Sequence, residues 1–399
     1  MGTGWLCSRR RSGHSRRQAR AVSSTDSLDS SRVRDFYSGA GGVRLLVDES
    51  VEERAAPEDW ADNLKRKKAL LRHCRSTLGD GVRFVPVKAT ALMSPVMLER
   101  MTEIIVGGGG GGLASYLDSE VDPRPHMSSD ELSLLESALG HMSELCAVAG
   151  ELGLPLLLDA EQSDRQPAID FICRRLQQQF NVQCNDGIVN NNTDGNVIYN
   201  TYQMYMVGAE HRLARDLAHA QRAQYGLAAK IVRGAYLVTE AERAVALDVP
   251  CAVLPSKAET DGAYDRGVAF LLDSVAQGDP TSCVVATHNA GSVERAVARM
   301  GALGLANDHA SVHFAQIMGM CDLLTLALGK GGYNSHKLVL FGEFRELFPW
   351  LLRRLDENRD ILGGAQKEVP LLEQEIGRRM RNAKLVKTLL SGRVRGGGS

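Results

Sequence analysis

The chain has 399 residues, 44% of them apolar and 24% charged, with a formal net charge of -1. That length allows one large domain or two ordinary ones, and the near-neutral charge gives no reason to expect a nucleic-acid partner. The eight cysteines form no CxxC pair or spaced metal box, so they read as reduced thiols of an intracellular protein, with no metal site. No apolar run approaches the roughly 18 residues that cross a bilayer, which leaves only peripheral membrane contact.

In chain order, the first 24 residues hold Arg9, Arg10, Arg11, Arg16, Arg17 and Arg20, several serines and no acid. That composition fits a mitochondrial transit segment, with a disordered basic tail as the alternative. Residues 1–41 as a whole are expected to be disordered or processed. Eight short apolar runs follow: 43–48 (VRLLVD), 84–88 (FVPVK), 154–159 (LPLLLD), 197–202 (VIYNTY), 227–233 (LAAKIVR), 283–287 (CVVAT), 312–315 (VHFA) and 337–341 (KLVLF). Near-continuous apolar strands with helices between them indicate a parallel sheet covered on both faces. Eight of them predict a closed (β/α)8 barrel over residues 42–362, of the TIM-barrel type, rather than a doubly wound open sheet. Helices are predicted at 128–152, where Ser128-Ser129-Asp130 supplies an N-cap, at 207–224 and at 292–303. The glycine run 107–112 reads as a flexible loop and the Asn-rich stretch 183–195 as an exposed insertion. A C-terminal helix and tail occupy 363–399, and the basic stretch 371–390 is amphipathic enough to touch an anionic surface.

A ligand site in such a barrel lies at the C-terminal ends of the strands. Those ends carry Lys88, Asp159, Gln203, Arg233 with Tyr236, His288 and Gln316. After the eighth strand, Leu347, Leu351 and Leu355 form an apolar helical stripe. Arg353 and Glu357 share a helix face, while Arg354 points about 100° away. Two adjacent guanidinium groups can grip one carboxylate with directed, charge-assisted bonds.

The stretches LDAEQ (158–162), YNTYQMY (199–205), KIVRGAYL (230–237), ATHN (286–289), GMCD (319–322) and LLRRLDEN (351–358) resemble those of proline dehydrogenases, in the same order, and most closely the eukaryotic mitochondrial branch. The resemblance implies a barrel carrying non-covalent FAD. The reaction it implies is oxidation of L-proline to Δ1-pyrroline-5-carboxylate, with electrons passed to ubiquinone at the mitochondrial inner membrane from the matrix side. By motif match, Arg353 and Arg354 bind the substrate carboxylate, Glu357 contacts the substrate or flavin side of the pocket, and Lys88 and Asp159 line the substrate side. Tyr236 packs against the substrate ring. Gln203, Lys230, Val232, His288 and Lys257 match flavin-contacting positions, and Arg233 and Gln316 are grouped with them.

Four features depart from the family pattern. Leu338 stands where the family usually has a pocket Tyr, and Leu340-Phe341 where it has Pro-Tyr. Trp350 replaces another Tyr, the N-terminal helical region is missing, and the glycine run is unusual. The branch that prefers 4-hydroxyproline also lacks the Tyr at 338 but carries a small polar residue there. Leu338 cannot donate to a substrate hydroxyl, so proline is favoured over 4-hydroxyproline, which remains the alternative substrate. Two further alternatives are a catalytically silent family member acting as a binding protein, and an unrelated barrel enzyme using Gly329, Gly331 and Gly332 as a phosphate loop.

Overall fold

The computed structural model describes residues 27–49, 57–107, 121–182 and 195–341, together with positions 348, 352, 373 and 377. Its eight parallel strands are β1 (Arg44–Glu49), β2 (Val82–Val87), β3 (Leu156–Leu158), β4 (Ile198–Gln203), β5 (Leu227–Val232), β6 (Thr281–Ala286), β7 (Val312–Ile317) and β8 (Ser335–Phe341). They close in chain order into a barrel. β8 returns to β1 over a register running from Arg44 opposite His336 to Glu49 opposite Phe341. The eight apolar runs of the sequence are these strands, with boundaries within two residues.

The helices packed outside are α1 (Ser27–Gly41), α2 (Pro57–His73), α3 (Pro95–Gly107), α4 (Ser129–Leu152), α5 (Gln166–Phe180), α6 (Ala209–Ala223), α7 (Leu237–Leu247), α8 (Lys257–Ala276), α9 (Ala290–Ala302) and α10 (Asp322–Lys330). The predicted helices are α4, α6 and α9. α4 starts on a full capping box: Ser128 Oγ accepts from Glu131 N, and the Glu131 carboxylate accepts from Ser128 N. Residues 27–41 form α1, which corrects the expectation of disorder there. Val33 and Tyr37, one helical turn apart, give α1 a narrow buried face, and the Tyr37 hydroxyl donates to Asp322 Oδ1 at 3.4 Å. The remainder of the 1–41 expectation, the loops 108–112 and 183–194 and the C-terminal helix fall outside the described residues.

Strand side chains alternate between the lumen and the helix layer. Leu46, Phe84, Leu157, Tyr199, Ala228, Val284 and Ala315 form a separate apolar cluster, the lumen, with Ala286 and Leu338 packed on it. Two larger clusters lie outside the sheet, one under β1–β3 and one under β5–β7. The lumen is lopsided. Bulky Leu46, Phe84, Leu157 and Tyr199 fill the β1–β4 half, and the smaller Ala228, Val284, Ala286 and Ala315 line the β5–β7 half.

Below this layer His313 Nδ1 and His336 Nε2 lie 3.1 Å apart, both rings edge-on to Phe84. Burial holds the His336 imidazole well below its usual pKa, and nearby Arg44, His313 and Arg83 push the same way. A second buried polar cluster joins α5, α6 and β4. Asp216, fully buried, accepts from Arg174, Arg215 and the Tyr202 hydroxyl. Asp170 beside it accepts from Asn200 and pairs with Arg212.

The candidate phosphate loop fails on topology. Gly329 lies in α10 and Gly331 caps its C-terminus, so both sit where the chain turns back toward the start of β8, at the rim opposite the strand ends. A Cβ at Gly329 would come within 2.1 Å of the Gly41 carbonyl oxygen. That glycine therefore serves the close approach of α10 to α1.

Two stability outcomes follow. Asp216→Ala leaves two arginines, Arg174 and Arg215, around an emptied carboxylate site and should cost about 3–5 kcal/mol in urea unfolding, against under about 1 kcal/mol for Asp62→Ala in an exposed pair. Because folding depresses the His336 pKa, the unfolded chain takes up a proton that the native chain refuses once pH falls below about 6.5, so native stability drops by up to about 1.4 kcal/mol per pH unit from this group. Unfolding free energy measured from pH 7 to 5 should fall less steeply in His336→Gln; equal slopes would remove His336 from the account.

Candidate active site

The C-terminal ends of β1–β3 bring together six charged side chains. Asp48 is the last lumen-facing residue of β1. Lys88 and Asp159 directly follow β2 and β3 and continue their lumen-facing rows. Asp159 accepts a short, charge-assisted bond from Lys230 of β5, across the mouth. Asp48 is nearly buried, and burial raises its carboxyl above the usual value; the Lys67 ammonium opposes this, Asp159 adds to it and Lys88 opposes it. Glu161 is also buried and raised by burial, with Lys88 as the strongest opposing charge. Its carboxylate accepts from Thr90 Oγ1 at 2.9 Å and Thr90 N at 3.3 Å. Lys88 thus lies in the field of both Asp48 and Glu161, and Arg165 also pairs with Glu161 at 3.6 Å.

At the β4–β5 ends, Gln203 faces the lumen. Its amide donates to the Glu161 carbonyl at 2.8 Å and accepts from Ala235 N at 3.2 Å. The RGAY turn needs its glycine: Gly234 has φ +150°, and a Cβ there would lie 2.1 Å from the Tyr205 ring. Tyr236 caps α7 and is half-buried, and the Val232 carbonyl accepts from Met204 N. Arg233 alternates outward. Its guanidinium donates to Asp261 Oδ1 (2.6 Å), Thr287 Oγ1 (2.6 Å) and Ser292 Oγ (2.9 Å), and stacks 4.4 Å from the centre of the Tyr264 ring. Lys257, at the start of α8, reaches the same Asp261 at 2.7 Å but is exposed.

His288, two residues past β6, is half-buried. Its Nε2 accepts from Ile317 N at 3.0 Å, so the neutral ring carries its proton on Nδ1. Gln316 goes the other way. Ala315 faces the lumen, so Gln316 faces α10 and spends its amide on the Thr287 carbonyl (3.2 Å) and the Thr325 hydroxyl (2.9 Å). The structure gives Gln316 a bracing role between β6, β7 and α10 rather than a position at the mouth. Arg353, Arg354 and Glu357 lie outside the described residues.

Sequence reasoning therefore collects Lys88, Asp159, Gln203, Lys230 and His288 at the mouth, with Arg233 and Lys257 linked at the rim. It misses Asp48, Lys67 and Glu161. Asp48 and Glu161 carry a readable signal, an acid at or just beyond the lumen-facing end of an apolar strand. Lys67 carries none, being one of several lysines on α2.

Several known proteins are similar to this chain. Hydroxyproline dehydrogenase of Bos taurus is 32% identical over 75% of this chain and 65% of its own length. Proline dehydrogenase 1, mitochondrial, of Arabidopsis thaliana is 30% identical over 88% of this chain and 71% of its own. This chain thus spans about two thirds of the length of these relatives. The crystal structure of proline utilization A from Bdellovibrio bacteriovorus, inactivated by N-propargylglycine, superposes with a TM-score of 0.65 at 17% identity, over 83% of this chain and 31% of that one. Residues 42–367 match the proline dehydrogenase family as a whole, and the chain belongs to that family.

Proposed function

We propose that the protein oxidises L-proline to Δ1-pyrroline-5-carboxylate with FAD as its cofactor and a quinone as the final electron acceptor. The observation that carries this reading is the ring of lumen-facing Lys88, Asp159, Gln203, Lys230 and His288 at one barrel rim in a member of this family. The residues present fit a flavin. The small side chains Ala286 and Ala315 leave room on the β5–β7 side for a flat ring system. Hydrogen-bonding and cationic groups, Lys230, His288, Arg233 and Lys257, stand on the same side, with Gln203 at the adjoining end of β4. When bound, FAD supplies a two-electron acceptor that no amino-acid side chain offers.

The chain's own part is to bind, orient and hold charge. By their match to the family motif, Arg353 and Arg354 take the substrate carboxylate, with Glu357 close by in sequence, and Lys88 adds a cation on the substrate side. Tyr236 packs on the ring. Holding the small ring at two places keeps reacting atoms within the roughly 3–3.5 Å that transfer requires. The cations around the carboxylate also disfavour a second positive charge, easing loss of the amine proton before oxidation. His288 and Lys230 provide donors toward the cofactor side, with Asp159 fixing the Lys230 ammonium. Leu338 lies on the lumen cluster between Leu46 of β1 and Ile317 of β7, so a hydroxyl on the substrate ring would meet hydrocarbon there. This favours proline over 4-hydroxyproline. A mitochondrial setting is supported by the Arg-rich first 24 residues and the name of the Arabidopsis relative. No helix among the described residues is long and apolar enough to cross a membrane, so contact with the inner membrane would be peripheral on their account.

Purified protein should show a flavin absorbance spectrum that bleaches on anaerobic addition of L-proline; no bleaching with L-proline or 4-hydroxyproline refutes the assignment and favours a silent binding protein. Leu338→Ser should shift the ratio of kcat/KM for 4-hydroxyproline over proline upward by roughly tenfold, since a polar partner replaces hydrocarbon opposite a buried hydroxyl. An unchanged ratio would take position 338 out of substrate selection.

A further inference from the structure

The β1–β2 seam is unusual. Every other neighbouring pair of strands carries its register to the C-terminal rim or close to it, but between β1 and β2 the paired residues stop at Leu46 opposite Phe84, after an irregularity next to Arg83. Beyond that point β2 contains Pro86, which has no N–H to give. The Lys67 ammonium fills the gap from the helix layer. It donates to the Glu49 carbonyl of β1 at 2.8 Å, the Pro86 carbonyl of β2 at 3.3 Å and the Asp48 carboxylate at 3.1 Å. Both side chains are nearly buried. One lysine therefore joins two strands and aims a carboxylate into the mouth.

Asp48 faces Lys67 from α2, Lys88 beyond β2 and Asp159 beyond β3, while neighbouring Glu49 turns outward to Arg66. Lys88 has Glu161 as its second acidic neighbour, and Glu161 is fixed by Thr90. A lysine head group on a flexible four-carbon stem takes one direction only when its counter-charges are fixed.

We propose that Asp48, fixed by Lys67, is a positioning residue that holds Lys88 toward the substrate carboxylate. This rests on the reading of the site as a proline-oxidising one. Lys67 opposes the effect of burial on the Asp48 carboxyl, and Asp48 and Glu161 both act on the Lys88 ammonium. Removing either member of the Asp48–Lys67 pair strips the other of its hydrogen-bonded counter-charge, and the pull of Asp48 on Lys88 changes with it.

The test is steady-state kinetics with L-proline on flavin-loaded wild type, Asp48→Asn, Lys67→Met, Lys88→Met and the pairwise combinations. Flavin content and thermal midpoint are recorded for each. Asp48→Asn and Lys67→Met should each raise KM roughly tenfold while kcat stays within about threefold, the signature of lost binding shared by ground and transition states. Asp48→Asn combined with Lys67→Met or with Lys88→Met should be no worse than the more impaired single variant, because the three act in one chain. Asp48→Glu, which keeps the charge one methylene away, should recover part of the KM. Unchanged KM in Asp48→Asn with flavin retained overturns the proposal, as do effects that multiply in the double variants. If Asp48→Asn does not fold, Asp48→Glu decides: a wild-type KM overturns the proposal and an intermediate one sustains it. Wild type that turns over L-proline while Asp48→Asn matches it sinks only this inference; wild type that L-proline does not reduce sinks the functional reading and this inference with it.

Discussion

A closed parallel barrel gives each strand side chain two destinations, the lumen or the helix layer, and the chemistry of this protein depends on which residues take the first. Because all eight strands run the same way, every lumen-facing row ends at the same rim. The rows that carry Leu46 in β1, Phe84 in β2 and Leu157 in β3 end in Asp48, Lys88 and Asp159. The apolar rows build the core and their last members build the site. The helix layer takes the other half, and there the barrel places the polar groups it needs for assembly, such as the Asp170 and Asp216 cluster.

That division decides what the sequence could and could not reveal. The strands were legible because fully buried parallel strands read as continuous apolar runs punctuated by turn residues. The mouth was partly legible because Lys88, Asp159, Gln203 and His288 stand at or just past the ends of those runs. Gln316 shows where the reading stops. A residue at a strand end faces the site or the helices according to parity, and parity is fixed by the register, which no local pattern states. Lys67 is invisible for a related reason. Its role arises from a break in the β1–β2 ladder, and nothing in its own neighbourhood distinguishes it from the adjacent Arg66 and Lys68. α1 escaped notice because, among its described side chains, the apolar residues packed on the core are Val33 and Tyr37.

Among the described residues, acids and bases alternate at the mouth. Lys67, Lys88, Lys230 and Arg165 stand against Asp48, Asp159 and Glu161, and the partners come from different strands and helices. Such an arrangement opposes the neutralisation that burial favours for Asp48 and Glu161. A zwitterionic ligand that carries both signs of charge suits it better than a simple anion or cation. The lopsided lumen complements this: bulky side chains under β1–β4 raise the floor on the charged side, and alanines under β5–β7 lower it on the side rich in donors.

The gap that Lys67 closes has one more implication. A hoop of backbone amides is indifferent to which side chains surround it, but a hoop completed by an ammonium is only as tight as the helix that presents it. Substitutions on the buried face of α2, far from any ligand, can therefore loosen or tighten the rim through the placement of one nitrogen. Divergence in an outer layer that looks like mere scaffolding would then be a route by which related chains retune their catalytic mouths without altering a single residue that points into them.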